Sequence, residues 1–317
     1  MQLYSGSSQQ FIIDTEKNQI AEKLRRTFFS HFRYYPSPNE VNSWKNSLTK
    51  IKDVVDHCSF YDHGVILEYQ LPLTSRRLDF LISGVGDDNG SHAAIVELKQ
   101  WDKCTESSLD NEVLTWVGGA LREILHPSMQ VGQYKEYLED CHTAFNSEPC
   151  ISLHACSYLH NYARSKPDAV FSSKFDEILK KYPTFTADDF DNICSFLKPK
   201  LSNGHGLEVL QKIQNSKYRP SKKLLDHVNA MIRQRSEYVL LDEQQVVYDK
   251  VLSCARNGFH DREKIAIVVK GGPGTGKSVI AINLMADLSR QGYNAQYATG
   301  SKSFTETLRK IVGNRAA

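Results

Sequence analysis

The run from Gly271 to Ser278 reads GGPGTGKS, and its residue types suit the binding of phosphate groups. Glycines at this spacing let consecutive backbone N–H groups point at phosphate oxygens. Lys277 is expected to reach the β- and γ-phosphates of a nucleotide, and the Ser278 hydroxyl is expected to ligate its Mg²⁺. The predicted nucleotide-binding set in this run is Gly271, Gly272, Pro273, Gly274, Thr275, Gly276, Lys277 and Ser278.

A second group of charged residues lies nearer the N-terminus. Asp79 is in the segment RRLDFLI, and Glu97 and Lys99 are in AAIVELKQW. Because side chains alternate along a strand, Glu97 and Lys99 face the same side while Leu98 turns into the core. The two carboxylates and the Leu98 carbonyl could bind one or two Mg²⁺ ions, and Lys99 could orient water or stabilise charge at phosphorus. This is the chemistry of phosphodiester hydrolysis, although alternating Glu and Lys are also typical of a solvated strand face.

Particular elements must position these two groups. Residues 264–270 form an apolar run that predicts a buried parallel strand, and a helical apolar pattern follows the loop, so the order is strand, glycine loop, helix. Residues 64–69, 78–82 and 93–98 predict three strands, and residues 84–91 predict a hairpin turn between the second and third. The hairpin would bring the two acidic strands together.

The chain divides into three zones by sequence pattern. Residues 1–165 mix helical patterns with short β-rich runs and predict an α/β domain. Residues 166–235 are mainly amphipathic and helical and predict a connector, with turns at Lys198-Pro199 and Asn203-Gly204. Residues 236–317 carry the glycine loop and predict a nucleotide-binding domain.

Composition sets broad limits on location and partners. Of the 317 residues, 40% are hydrophobic, and the net charge of +2 gives no general argument for nucleic-acid binding. Seven cysteines without a CxxC pair, no signal peptide and no apolar run of membrane-spanning length predict a cytoplasmic protein without membrane contact. His154, Cys156 and His160 alternate with small and apolar residues, which favours a core strand over a metal site.

The N-terminal pattern RRLDFLI, turn, AAIVELKQW resembles the core of PD-(D/E)xK nucleases, a restriction-endonuclease-like fold. RecB-like members carry a QxxxY motif on a helix beside the active site, and the segment HPSMQVGQYKEYL contains two such pairs. Gln130 with Tyr134 is favoured for a catalytic role, and the register Gln133 with Tyr137 stays open. The resemblance also makes Glu40 a candidate metal ligand, although a Glu in a first helical turn is explained as well by the helix dipole. Glu68 is a further possible ligand, with a structural role favoured.

The whole chain resembles bacterial proteins in which a nuclease-like domain is joined to a Schlafen-type, superfamily 1 helicase-like ATPase with a RecA-like P-loop fold. The segments that carry this resemblance, in order, are WKNSL, ILEYQLPLTSRRLDFLI, IVELKQW, HPSMQVGQYKEYL, YLHNY, RPSKKLLDHV, LLDEQQVVYDKVL and VVKGGPGTGKSVIAINL. It implies ATP and Mg²⁺ as ligands and DNA or RNA as substrate, with a role in anti-phage defence. In the superfamily, a glutamine upstream of the loop binds adenine; Gln244 fits that position and Gln245 is the alternative.

The sequence departs from this family after the glycine loop. Only 39 residues follow Ser278, and they contain no second acidic strand, arginine finger or second motor domain. We therefore expect ATP binding without ATPase or helicase activity by this chain alone, unless a protein partner or an oligomer supplies the missing parts. Two functions follow: a Mg²⁺-dependent nuclease coupled to an ATP-binding segment, or a nucleotide-sensing, nucleic-acid-binding module on an inactive nuclease scaffold.

Overall fold

The computed structural model describes residues 1–71, 76–218, 240–261, 264–272, 274–293 and 295–300. These residues fall into two compact units. The first comprises Met1–Glu106, Val113–Arg122 and His126–Arg219, and the second comprises Ser107–Glu112, Glu123–Leu125 and Pro220–Ala317. The described part of the predicted connector belongs to the first unit, and residues 219–235 lie outside the described residues. The predicted domain boundaries stay a prediction.

Two β-sheets are present in the described part of the chain. Their strands are β1 (Gln2–Ser7), β2 (Gly64–Gln70), β3 (Arg77–Val85), β4 (Ser91–Lys99), β5 (Cys104–Glu106), β6 (Glu112–Val117), β7 (Ala120–Leu125), β8 (Ser152–Leu159) and β9 (Thr184–Thr186). The larger sheet has the order β1-β2-β3-β4-β8-β9, and the smaller sheet has the order β5-β6-β7. In the larger sheet β1 to β4 pair antiparallel, β8 runs parallel to β4, and β9 runs parallel to β8.

The strands predicted for the first zone are confirmed. β2, β3 and β4 cover the three predicted runs, and β3 and β4 form the predicted hairpin, with Val85 opposite Ser91 at its closed end. β2 and β4 are buried along almost their whole length. Both faces of these strands are therefore covered by protein, which explains why their sequences are nearly continuous apolar runs.

Helices complete a mixed α/β structure, which confirms the predicted class. They are α1 (Ser8–Glu16), α2 (Ile20–Phe32), α3 (Pro38–His57), α4 (Pro127–Cys141), α5 (Thr143–Asn146), α6 (Asp176–Lys181), α7 (Phe190–Leu201), α8 (Gly206–Asn215), α9 (Glu243–Asp261) and α10 (Lys277–Arg290). The starts of α3 and α4 are well defined by sequence. Ser37 caps α3 and His126 caps α4, and in each case a proline follows the cap.

One predicted turn in the connector zone is wrong. Pro199 lies inside α7, near its C-terminal end, and the helix continues through Leu201. The helix packs through Ile193, Leu197 and Leu201, all fully buried in the main core. This packing holds the last turn helical although proline cannot donate a backbone hydrogen bond, because tertiary burial outweighs local propensity.

The second unit contains a local helix pair. Leu240, Tyr248 and Leu252 pack against Ile280 of α10 in a small apolar cluster. The predicted strand at residues 264–270 is wrong: these residues carry no strand, and their apolar side chains are exposed, with Val268 at 78%. A parallel strand needs hydrogen-bonded neighbours and covered faces, and the described residues of this unit give the run neither.

Among the residues that the structure describes, no helix is both long and apolar enough to cross a membrane.

Candidate active site

The hairpin of β3 and β4 brings the two acidic strand residues together. The paired ladder between these strands ends at Phe80 and Val96. Asp79 and Glu97 are the next residues beyond that pair, one on each strand. Asp79 Oδ2 accepts a hydrogen bond from the Leu98 backbone N–H at 2.7 Å, which joins the acid of β3 to β4. The Leu98 side chain lies in the core, which confirms the predicted alternation along β4.

Glu97 is the centre of a hydrogen-bonded group. It is 2% exposed, and its Oε1 accepts from Lys99 Nζ at 2.9 Å and from Gln130 Nε2 at 2.8 Å. The same Gln130 amide donates to the Tyr134 hydroxyl at 2.9 Å, one helical turn further along α4. Gln130, the residue that the sequence favours, thus contacts the acid directly.

Buried hydrogen bonds hold α4 against the sheet. Ser128 Oγ lies 2.7 Å from Thr184 Oγ1 of β9, and Ser157 Oγ of β8 lies 2.7 Å from the same atom. His126, completely buried, accepts from the Ser128 N–H at 3.2 Å and so caps the helix. The first turn of α4 is therefore fixed to two strands, and Gln130 follows directly from that turn.

A second charged group extends the site toward α3. Glu68 Oε1 accepts from Trp44 Nε1 at 2.8 Å, and Glu68 Oε2 lies 3.2 Å from the Arg77 guanidinium. Arg77 also pairs with Glu40 in the first turn of α3. Glu40, the predicted metal ligand, therefore contacts an arginine here, and its role as a ligand stays a prediction.

The backbone at Glu68 is unusual. Its φ of 51° lies in the left-handed region, which a glutamate in a strand rarely adopts. Leu67 pairs with Phe80 and Tyr69 pairs with Leu78, so Glu68 stands opposite Asp79 and no extra residue is inserted in either strand. Non-glycine residues held in the left-handed region are strained, and such residues cluster at active sites. The carboxylate of this residue contacts Trp44 and Arg77.

Burial, with neighbouring carboxylates adding to it, raises the pKa of Asp79 and of Glu68. Burial and the nearby Glu68 carboxylate raise the pKa of Asp79 to about 7, although Lys99, Arg77 and the Leu98 N–H oppose the shift. Burial likewise raises the pKa of Glu68 to about 7, with Arg77 and Trp44 opposing it and Glu40 and Glu97 adding to it. Closely spaced, desolvated carboxylates of this kind favour the approach of a cation.

The oxygen donors at this site suit Mg²⁺ in kind. Among the residues that the structure describes, no three His, Cys, Asp or Glu side chains converge closely enough to hold a metal ion by themselves. Mg²⁺ commonly binds through one or two carboxylates and completes its shell with waters and substrate phosphates. Asp79, Glu97 and the Leu98 carbonyl match that limited donor set. The residues His154, Cys156 and His160 do not converge on a metal site, and the first two lie in β8 as predicted.

The glycine loop is built by short-range contacts. Gly274 and Gly276 have φ of 75° and 83°, values that residues with a Cβ rarely adopt, and α10 begins at Lys277. Lys277 Nζ donates to the carbonyl of Gly271 at 2.8 Å, so the lysine lies over the loop. Ser278 is exposed in the first turn of α10. Pro273 lies outside the described residues.

Gln244 reaches the loop from α9. Its Nε2 donates to the Thr275 carbonyl at 3.1 Å, and its Oε1 accepts from the Leu241 N–H at 3.1 Å. Gln245 instead donates to Asp249 at 2.9 Å. Of the two glutamines predicted as adenine ligands, Gln244 is therefore the one beside the loop, and its role toward a base stays a prediction.

The structure brings together the five residues predicted to be catalytic. Asp79 contacts the Leu98 N–H, and Glu97 links Lys99, Gln130 and Tyr134. The sequence interpretation did not identify Trp44 and Arg77 as partners of a further carboxylate, and it favoured a structural role for Glu68. The position of Glu68 inside an otherwise apolar strand is visible in the sequence and indicates a special role. Its left-handed backbone cannot be predicted from the sequence.

Comparison with protein families gives a match in the last part of the chain. Residues 264–316 match the family model for the Schlafen group 3 DNA/RNA helicase domain. This segment begins before the glycine loop and includes all of it, so the last part of the chain is similar to a nucleic-acid helicase domain. No curated protein and no solved structure was found to match the chain.

Proposed function

We propose that the first unit hydrolyses phosphodiester bonds of DNA or RNA with Mg²⁺, on a PD-(D/E)xK-type core, and that the glycine loop binds ATP. The observation that carries the proposal is the hydrogen-bonded group that joins Glu97 to Lys99, Gln130 and Tyr134 beside Asp79. These residues come from two strands and a helix, and their chemistry is that required at a scissile phosphate. The similarity of residues 264–316 to a DNA/RNA helicase domain supports a nucleic-acid substrate.

Asp79 and Glu97 would hold the cation, with the Leu98 carbonyl as a further donor. When bound, Mg²⁺ polarises the phosphate and lowers the pKa of a coordinated water. Asp79 is oriented for this role by the Leu98 N–H, which fixes one of its oxygens on the β4 side. Hydrogen bonds from Lys99 and Gln130 fix the direction of the Glu97 carboxylate in the same way.

Lys99 lies where a positive charge can act on the substrate. Its Nζ is 2.9 Å from Glu97 Oε1 and 5.5 Å from the centre of the Trp101 ring. The ring and the carboxylate restrict the position of the lysine side chain. Little rearrangement is therefore needed for its ammonium group to orient water or to stabilise charge on the phosphate. Gln130 and Tyr134 hold Glu97 from the opposite, helical side and position it rather than react.

The loop has room for phosphate groups. A Cβ added at Gly274 would meet no atom within 4 Å, and one added at Gly272 would meet only Thr275 Cγ2, at 3.9 Å. Packing within the protein therefore does not require glycine at Gly272, and close approach by a ligand explains it better. Lys277 would exchange its loop carbonyl partners for the β- and γ-phosphates, and Ser278 would ligate Mg²⁺.

A cleavage assay with a paired control tests the nuclease. Purified protein comprising residues 1–317 is incubated with single- and double-stranded DNA and RNA, in Mg²⁺ and in EDTA. We expect Mg²⁺-dependent cleavage that Glu97→Gln abolishes, because the amide removes the negative charge with little change in size. Glu208→Gln, on the exposed surface of α8, should cut like wild type.

The competing function is a nucleic-acid-binding module on an inactive nuclease scaffold. The observation in its favour is that, in the described part of the chain, no three metal-ligating side chains converge. Wild-type protein that binds nucleic acid but cuts none of the four substrates in Mg²⁺ or Mn²⁺ would establish this function instead.

A further inference from the structure

Exposed aromatic rings cluster where α2 ends and the chain turns into α3. Tyr34 and Tyr35 are 59% and 56% exposed, and Phe29 is 37% exposed. Tyr35 stacks on Phe29 with a centroid distance of 4.4 Å and an interplanar angle of 19°. Tyr34 meets the buried Phe28 edge-on at 5.3 Å. Both tyrosine rings are thus held in place while remaining largely open to solvent.

Basic side chains surround these rings. The Arg25 guanidinium lies 5.0 Å from the centre of the Tyr35 ring. Arg25 and Arg26 share one acid, Glu22, at 2.7 and 2.9 Å, so the two arginines leave an excess of positive charge. Arg33 ends α2 with a left-handed backbone, φ 62°, and is exposed. The surface therefore combines open aromatic faces with positive charge.

The cluster is continuous with the candidate active site. The Phe28 ring lies 5.3 Å from the Arg77 guanidinium and 6.3 Å from the Trp44 ring. Arg77 and Trp44 are the two residues that hold the Glu68 carboxylate. One buried side chain, Phe28, thus separates Tyr34 from the acidic group of the first unit.

We propose that this α2–α3 surface, formed by Arg25, Arg26, Phe29, Arg33, Tyr34 and Tyr35, binds an unpaired stretch of the substrate strand. Bases would stack on the tyrosine rings, and the arginines would contact the phosphates. The inference rests on the proposed function, since it makes the surface the place where the strand flanking the cut is held. Stacking requires accessible base faces, so the surface selects single-stranded over fully paired nucleic acid. Arginine beside aromatic rings suits this partner because it binds phosphate and stacks on planar groups.

Binding measured without cleavage tests the surface. Fluorescence anisotropy in EDTA, on the full chain, uses labelled oligo-dT, oligo-U, a blunt duplex, and an abasic strand that has the backbone but no bases. We expect Tyr34→Ala and Tyr35→Ala each to weaken binding to the two base-containing single strands by about 5- to 150-fold, the range that loss of one stacked base predicts. Binding to the abasic strand should not change.

Two controls make the result specific. Tyr61→Ala removes another exposed tyrosine, 49% exposed and bonded to Asp56, and should bind like wild type. Tyr34→Trp keeps a stacking face and should retain wild-type binding. Unchanged thermal unfolding of the variants confirms that the substitutions do not alter the fold.

The opposing outcomes are distinct. Equal binding of wild type and both alanine variants overturns the proposal and leaves the surface for a protein partner. An equal loss on the abasic strand also overturns it, because the effect would then be one of charge. If the tyrosine variants lose base-dependent binding but wild type never cuts, the binding surface stands and the proposed nuclease fails. If Glu97→Gln abolishes cutting while the tyrosine variants bind normally, the proposed nuclease stands and the binding surface fails.

Discussion

The carboxylate group and the glycine loop are built in opposite ways. Contacts in the first group join residues far apart in sequence, such as Glu97 with Gln130 on α4 and Trp44 with Glu68 on β2. Contacts in the glycine loop join near neighbours, as when Lys277 donates to Gly271, and Gln244 is its more distant partner. A long-range site requires a formed sheet, whereas a loop and the first turn of a helix can form locally.

The apolar run before the loop shows what a strand needs from its neighbours. Residues 264–270 are as apolar as β4, yet they carry no strand and stay exposed, while β4 is buried between β3 and β8. The difference lies in the neighbours rather than in the composition. An apolar run becomes a strand when other strands supply hydrogen-bond partners and helices cover its faces.

The two regions should differ most clearly in how the loss of a lysine changes the cleavage rate. We expect Lys99→Ala to lower the rate of Mg²⁺-dependent cleavage by about 10²- to 10³-fold, the loss typical of a positioned group that stabilises transition-state charge. Lys277→Ala should leave this rate unchanged in the absence of nucleotide. Single-turnover cleavage measures both. Equal rates for Lys99→Ala and wild type would remove the lysine from the proposed mechanism.

A glycine in the first unit should be more sensitive to a methyl group than a loop glycine. A Cβ at Gly206 would lie 2.2 Å from the Gly64 nitrogen and 2.2 Å from the Ser83 carbonyl oxygen, both backbone atoms that cannot move alone. We expect Gly206→Ala to lower the free energy of unfolding by about 3 kcal/mol. Urea unfolding measures the change, with Leu207→Ala on the same helix as control. A loss as small as that of the control would show that α8 can shift away from β2 and β3.

The corresponding change in the loop should affect binding and not stability. A Cβ at Gly272 meets little of the protein, so Gly272→Ala should unfold like wild type without ligand. With Mg²⁺ and ATP at about 100 times Kd, wild type should gain about 2.7 kcal/mol. Both Gly272→Ala and Lys277→Ala should lose most of this gain. Thermal shift against ATP concentration measures it, and full stabilisation of Lys277→Ala would remove the nucleotide-site assignment.

The sequence predicted what short-range patterns determine. Strand alternation at Glu97, Leu98 and Lys99, and the hairpin that pairs them with Asp79, follow from period and turn composition, and the structure confirms both. The choice between Gln130 and Gln133 could not follow from spacing, because both pairs satisfy the same helical offset. It depends on how α4 packs on the sheet through Ser128 and Thr184.

Other features depended on contacts that no local pattern contains. The pairing of Arg77 with both Glu40 and Glu68 joins a helix to two strands. The continuation of α7 through Pro199 depends on burial of Leu201. Residues 264–270 form no strand because the described residues of their unit offer no strand to pair with. In the last two cases the tertiary context, and not the local propensity, determined the secondary structure.

A histidine beside α4 gives a smaller, pH-dependent contrast. Burial lowers the pKa of His126 to about 4, below its ordinary 6.5, although the hydrogen bond to the Val170 carbonyl opposes the shift and the Lys174 charge adds to it. The unfolded chain therefore binds the proton first, so this stabilisation is complete above pH 6.5 and falls as the pH drops toward 4. We expect wild type to lose about 1–2 kcal/mol between pH 7 and 5 from this group, relative to His126→Asn, which can still cap the helix.

His142 and His154, whose pKa values are also lowered to about 4, cancel in that comparison because both proteins keep them. Urea unfolding across this pH range gives the difference. Parallel pH profiles would show that His126 is not buried as a neutral ring, and that the first turn of α4, from which Gln130 reaches Glu97, is held in some other way.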